Sequence, residues 1–551
     1  MRLSRRRFGQ LSLATLAASC SQPASEPDLL IFGGPIYTGV AANPRVEALR
    51  IRGGRIAFAG ALADARSAGV QEIDLGGAAA FPGFTDAHVH LTGVGQQAML
   101  LNLVGVESIA AMQQRLRVYA TAHPQGPIIG RGWIETHWPE RRFPMRADLD
   151  AVVNDRPVVL ERIDGHAVVA NSAALALGQI ENGTVDPAGG RIERDASGAA
   201  TGMLIDNAAG LVQSRLPAPT PQQQRQALAE GARIYASRGW TGICNMSTGG
   251  AEAQFFADLA ASGEMPLKAN LYLTPDDSEP VFHRGPYADD TGLVHVRGVK
   301  LYMDGALGSR GAALLQRYSD APSDGLLVTP IEDVRAMLMR ARERNVQIAT
   351  HAIGDRGNRL VLDAYRDVFG GSSDALRAVR WRIEHAQVIA PEDLLRFAEM
   401  GVIASMQPSH AISDLHFAPA RLGANRLAGA YAWKALLDSG AHLAAGSDAP
   451  VERGDPLIEF YAAAYRHDLN GFAGPDWHLE QALSRAEALA MLTTGGAYSA
   501  FEETERGTLE VGKRADISAF SVDLMEAPAA DIPQARAMLT VSGGRVTHSV
   551  F

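Results

Sequence analysis

The chain has 551 residues, of which 46% are hydrophobic and 20% charged. Its 51 Lys and Arg face 61 Asp and Glu, giving a formal charge of −10. That mixture excludes a disordered chain, a collagen and a polytopic membrane protein, and it leaves a nucleic-acid binder without its basic footprint.

Residues 1–27 read as a leader. Ser4-Arg5-Arg6-Arg7-Phe8 matches the twin-arginine export pattern, and the apolar stretch Phe8 to Ala18 follows it. That stretch is shorter than the roughly 20 residues of a membrane-spanning helix, but it suits a signal h-region. Ala17-Ala18-Ser19 then precede Cys20, as at a lipoprotein processing site. A lipid anchor at Cys20 and ordinary cleavage nearby both fit. The expected location is the bacterial periplasm, free or membrane-anchored. Cys244 is the other cysteine, so the body after the leader holds one thiol and no disulfide framework.

Leu29–Ile36 and Glu47–Ala59 read as short strands with glycine turns, and Ala515–Ser521 and Met538–Thr547 have the same texture. One composite β-sandwich built from both ends, about 28–80 and 501–551, is the expected arrangement. Between them, short apolar runs alternate with amphipathic stretches, the pattern of βα units. Eight strands are predicted: Ala80–His90, Thr241–Ser247, Leu267–Leu273, Val296–Met303, Val346–His351, Arg380–His385, Val402–Gln407 and His442–Asp448. Eight such units fit an α/β fold of the TIM (β/α)8 type, over about 81–500. The interval from His90 to Thr241 is far longer than one βα unit needs. It predicts a large insertion after the first strand, about 96–221, of the kind that builds lids and substrate walls.

The metal-capable residues fall at the ends of these strands. His88 and His90 share one side of the first strand by the two-residue period. Lys300 lies on the fourth, His351 ends the fifth, His385 the sixth, and Asp448 the eighth. Barrel enzymes place their sites at this C-terminal face, and imidazole and carboxylate suit a divalent cation such as Zn²⁺. Taken singly, each residue has a plain structural reading: a core histidine, a turn aspartate, a lysine reaching for solvent. The joint pattern is what points to a metal site.

Several stretches carry a resemblance. They are Phe81-Pro82-Gly83-Phe84-Thr85-Asp86-Ala87-His88-Val89-His90, Arg162-Ile163-Asp164-Gly165-His166, Lys300 through Arg310, His351-Ala352-Ile353-Gly354-Asp355, Arg382-Ile383-Glu384-His385-Ala386-Gln387, Gln407-Pro408 and Gly446-Ser447-Asp448-Ala449-Pro450. With them the sequence resembles the amidohydrolase superfamily, and within it the amidohydrolase-3 branch of metal-dependent hydrolases. The resemblance implies a distorted barrel with the composite β-sandwich. It further implies two ions, one held by His88, His90 and Asp448 and the other by His351 and His385, with a carboxylated Lys300 as the bridge. The implied reaction is hydrolysis of an amide-type C–N bond in a small molecule by a metal-activated hydroxide, with Asp448 as general base and then acid. His166 is the candidate donor to the substrate carbonyl, or else it orders the insertion. Arg162 belongs to the same motif, and Trp133 and Trp138 either line a substrate pocket or pack the insertion. Two other readings stay open: a single-metal deaminase, and a catalytically silent metal-binding protein of the envelope. Substrate and oligomeric state are not legible in the residues.

Overall fold

The structure, a computed structural model, describes residues 28–135, 138–162, 167–187 and 190–551. The leader with Cys20, and His166, lie outside the described residues. Among the described residues no helix is long and apolar enough to cross a membrane.

Eight parallel strands run in the order Phe84–Val89, Trp240–Thr248, Lys268–Leu273, Val294–Tyr302, Gln347–Ala352, Arg382–His385, Ile403–Met406 and Leu443–Ala445. Every residue of Phe84–Val89 and of Lys268–Leu273 is buried. A parallel sheet covered on both faces is read in sequence as a continuous apolar run, which is why these strands were legible. The fold is the expected distorted TIM barrel. It is nearly closed, and its seam is held above the strands: Asp448 N donates to His88 O at 2.7 Å, and His90 N to Ala449 O at 2.9 Å. Inside that seam the buried Asp86 carboxylate accepts from Ser447 N (3.0 Å), Ser447 Oγ (2.6 Å) and Tyr235 Oη (3.0 Å).

The first predicted strand, Ala80–His90, is in fact two. Ala79–Pro82 belongs to the other sheet, where it pairs with Ile517–Phe520, whereas Phe84–Val89 opens the barrel. Gly83 makes the crossing, with its N–H donated to Asp516 O at 2.8 Å. A Cβ at Gly83 would stand 2.3 Å from Thr241 Oγ1, so only glycine fits between the two domains.

That other sheet has eight strands and takes them from both chain ends: Arg545–Ser549, Ala537–Ser542, Ile517–Phe520, Ala79–Pro82, Leu29–Tyr37, Arg45–Arg52 and Arg55–Gly60 in order, with Gln71–Asp74 beside Leu29–Tyr37. It is one continuous hydrogen-bonded sheet. Leu49, Ile51 and Ile56 from one end share a core with Leu539 and Val541 from the other.

The long interval after the first barrel strand carries its own six-stranded sheet, in the order Gly190–Arg194, Ala200–Asp206, Ala167–Ala170, Val158–Arg162, Ile128–Trp133 and Leu101–Asn102. The chain returns to the barrel through the helix Pro221–Arg238. Thr220 and Gln223 form its capping box, proline stands in its first turn, and Gly239 ends it at φ 102°. The helix Leu91–Met99 crosses it at glycine: a Cβ on Gly95 would lie 1.7 Å from Ala227 O. This close crossing fixes the segment that directly follows His90.

Candidate metal centre

His88, His90 and Asp448 come together at the C-terminal mouth of the barrel. Asp448 Oδ1 is 3.3 Å from His88 Nε2 and 3.3 Å from His90 Nε2. The Lys300 Nζ lies 3.4 Å from His88 Nε2. The His351 and His385 rings stand edge to face at 4.5 Å, and His385 and His88 rings at 4.9 Å. All six residues named from sequence therefore converge on one space.

The imidazoles share an orientation. His88 Nδ1 meets Glu384 Oε2 at 2.6 Å, His90 Nδ1 meets Met246 O at 3.1 Å, and His385 Nδ1 meets Gln407 Oε1 at 2.7 Å. Each partner is an acceptor, so each Nδ1 carries the proton and each Nε2 presents its lone pair. His351 is tied through the Gly305 backbone, and its Nε2 is buried without a hydrogen-bond partner. An unpaired buried nitrogen costs about 1–3 kcal/mol. Three tethered imidazoles, His88, His90 and His385, beside the Asp448 carboxylate, with the unpartnered His351 next to them, suit a divalent cation, including the outer partners that orient ligating histidines. The ligand atoms of His88, His90 and Asp448 all lie within 4.8 Å of one another, as do those of His385, His410 and Asp448.

The electrostatics suit the same use. Burial, with the Lys300 charge added, lowers His88 to about 4 and His351 to about 3, and burial with neighbouring imidazoles holds His385 well below its ordinary range. These three rings are uncharged at neutral pH. Burial alone would raise the Asp448 carboxyl, but the surrounding histidines hold it well below the usual carboxylate range. Burial lowers the Lys300 amine to about 8, against the pull of Glu384 and Asp448.

Backbone strain concentrates here. His385, Ala386 and Asp448 have φ of 72°, 43° and 55°. Left-handed positions in non-glycine residues cost on the order of 1–3 kcal/mol each and persist where the surroundings enforce them. The Asp448 N–H bond to His88 O and the Val451 N–H bond to Asp448 O are such enforcement.

Three groups at this mouth were not assigned roles from sequence. Glu384 is fully buried and gripped by Arg382, whose Nε donates to Oε1 at 2.6 Å and whose Nη2 donates to Ala87 O at 2.7 Å. Burial would raise the Glu384 carboxyl, yet Arg382 and His88 bring it down to about 2. Glu384 thus stays an anion that fixes His88. Asp304 accepts from the N–H groups of Ala313, Ile353 and Gly354 at 2.8–2.9 Å, which anchors the loop after Lys300 beside His351. His410 joins His385 and Asp448. The available signals were their places at the ends of the sixth, fourth and seventh strands.

Of the two readings of Trp133, the structure supports packing. Trp133 is fully buried in the core of the insertion sheet, with Nε1 donating to Leu160 O at 2.9 Å, and it has no surface to offer a substrate. Trp138 is buried beside it and donates to Val106 O. Both pack the insertion. Arg162 forms an ion pair with Glu135 at 2.8 Å. A cavity of about 270 Å³ opens beside His90, walled by Gln96, Gln224, Met246, Glu252 and Phe255.

A (β/α)8 barrel with this histidine–aspartate cluster at its mouth and a sheet built from both chain ends has the architecture of a barrel hydrolase of the amidohydrolase superfamily. The comparisons agree, since the profile of the Amidohydrolase family matches residues 71–548. The chain belongs to the amidohydrolase family. It is 32% identical over 533 residues to the amidohydrolase YtcJ of Bacillus subtilis (strain 168), covering 94% of this chain and 98% of that one. It is 27% identical over 537 residues to an N-substituted formamide deformylase of Arthrobacter pascens, covering 94% and 97%. The crystal structure of a metal-dependent hydrolase from Pyrococcus horikoshii superposes with a TM-score of 0.75 at 26% identity, covering 91% of this chain and 99% of that one.

Proposed function

We propose that the protein is a metal-dependent hydrolase of amide-type C–N bonds other than peptide bonds, acting on a small N-acyl or N-formyl compound. The observation that carries this reading is the gathering of His88, His90 and His385 ligand atoms around Asp448, with the Lys300 amine 3.4 Å from His88 and the unpartnered His351 Nε2 on the ring next to His385. The formamide deformylase relative supports the N-formyl class.

His88, His90 and Asp448 would hold one divalent cation, and His351 and His385 a second. Carboxylated Lys300 would lie between them. A bare ammonium beside two cations is repelled, and an amine near pKa 8 has the neutral fraction that addition to CO₂ needs. The nitrogen lone pair bonds to carbon and one proton leaves, so the side chain becomes an anion. Zn²⁺ suits this donor set, and bound there the cations would polarise the substrate carbonyl and bring the pKa of water from 15.7 toward about 7.

The chain's own residues supply the rest. Asp448 accepts the proton of the attacking water and returns it to the leaving nitrogen, so a poor amine leaving group departs neutral. Glu384 and Arg382 hold His88 in its tautomer, and Met246 O and Gln407 do the same for His90 and His385. The cavity beside His90 receives the substituent of a small amide. In the envelope the substrate would meet the enzyme outside the cytoplasm, as the leader implies.

The test is a hydrolysis screen of zinc-replete protein against N-substituted formamides, N-acyl amino acids, cyclic amides and amidine-type deaminase substrates. Release of amine and carboxylate from the first classes is expected. Release of ammonia alone, or no turnover in any class, would sink the proposal.

A further inference from the structure

The mouth of the barrel holds one more imidazole than the proposed ligand set uses. His410 sits in the short helix Pro408–Asp414, directly after the seventh barrel strand, and is 9% exposed. Its Nε2 is buried and has no hydrogen-bond partner. The nearest anion is Asp448 Oδ2 at 3.7 Å, beyond hydrogen-bond reach. The ring lies parallel to His385, centroids 5.8 Å apart and planes at 13°.

Asp448 divides the space around it. Oδ1 faces His88 and His90, each at 3.3 Å, whereas Oδ2 faces His410. His410 therefore stands across the carboxylate from the imidazoles that flank the first proposed ion. Its helix is fixed from below: Ser409 N donates to the fully buried Glu459 Oε2 at 2.9 Å. A rigidly mounted, desolvated imidazole nitrogen without a partner is costly to keep unless a ligand completes it.

We infer that His410 is a further catalytic residue, whose Nε2–H donates a hydrogen bond to the substrate oxygen that becomes the oxyanion as water adds to the carbonyl. This rests on the amide-hydrolase reading and gives that oxygen a donor among the described residues, a part that sequence alone gave to His166. A group aimed where charge develops stabilises the transition state more than the bound substrate, so its loss falls on kcat rather than KM.

The experiment uses zinc-loaded protein and a probe that needs no known substrate. Methylphosphonate, a tetrahedral oxyanion, is titrated calorimetrically into wild type, His410→Ala and His410→Gln, and the zinc content of each is measured on the same samples. His410→Ala should bind at least tenfold more weakly with zinc content unchanged, and His410→Gln, which keeps an N–H, should recover part of the loss. On any amide the wild type cleaves, His410→Ala should lose about 100-fold or more in kcat with KM little altered. Equal methylphosphonate affinity in wild type and His410→Ala, or no binding to wild type, would overturn the inference. Loss of zinc from His410→Ala would overturn it too, by making the residue a ligand. If no amide is cleaved while methylphosphonate binding still depends on His410, the functional reading fails and the donor role stands.

Discussion

Asp448→Asn is expected to lower kcat/KM by about three orders of magnitude or more, with the protein still folded. The exchange is isosteric, and the Asp448 backbone bonds to His88 and from Val451 do not involve the side chain. What is lost is chemistry: a carboxamide cannot take the water's proton, and general acid–base groups contribute about 10²–10⁴-fold. The anion that faces His88 and His90 at 3.3 Å goes with it, so cation affinity falls as well. Steady-state kinetics at saturating zinc, alongside a thermal melt, separate the two losses. Full turnover by the variant would remove Asp448 from the proton path. His88→Ala is a less clean probe, because it strips the buried Glu384 of its 2.6 Å partner and disturbs the ion pair behind it.

The second large effect concerns Lys300 and the number of ions. Its amine, lowered to about 8 by burial, is an ammonium at pH 6 by about 100 to 1 and largely neutral at pH 8.5. The neutral fraction therefore rises with pH through 8, and carbamate formation rises with it. His88 and His351, lowered to about 4 and about 3, stay unprotonated at both pH values and do not confuse the readout. Metal-free protein reloaded at pH 6 without bicarbonate should take up one ion per chain, and at pH 8.5 with bicarbonate two. Lys300→Ala should stop at one in both conditions. Elemental analysis after gel filtration decides it, and two ions in Lys300→Ala would rule out the bridge.

The barrel was legible because buried parallel strands write themselves as apolar runs, and the metal-capable residues stand where those runs end. Lys300 and Asp448 were found in this way, from position in the fold. The break at Gly83 was not legible: Ala79–Pro82 and Phe84–Val89 are both fully buried and form one unbroken pattern, although they serve different sheets. The insertion was seen only as a surplus of residues. Its strands are short and one pairing, Ala200–Asp206 with Ala167–Ala170, passes over Gly190–Arg194, which no local periodicity records. Trp133 was left open for a related reason, since a tryptophan in an insertion can face a substrate or its own core, and only the pairing of Ile128–Trp133 with Val158–Arg162 decides between them. Glu384 and His410 were passed over because their meaning lies in partners 296 and 38 positions away, His88 and Asp448.

The most direct test is anomalous X-ray scattering at the zinc edge from crystals of zinc-loaded protein. The expected result is a peak within about 2.0–2.2 Å of His88 Nε2, His90 Nε2 and a carboxylate oxygen of Asp448. An empty map at that position, or zinc bound only elsewhere on the chain, would contradict the assignment of this barrel mouth as the metal centre.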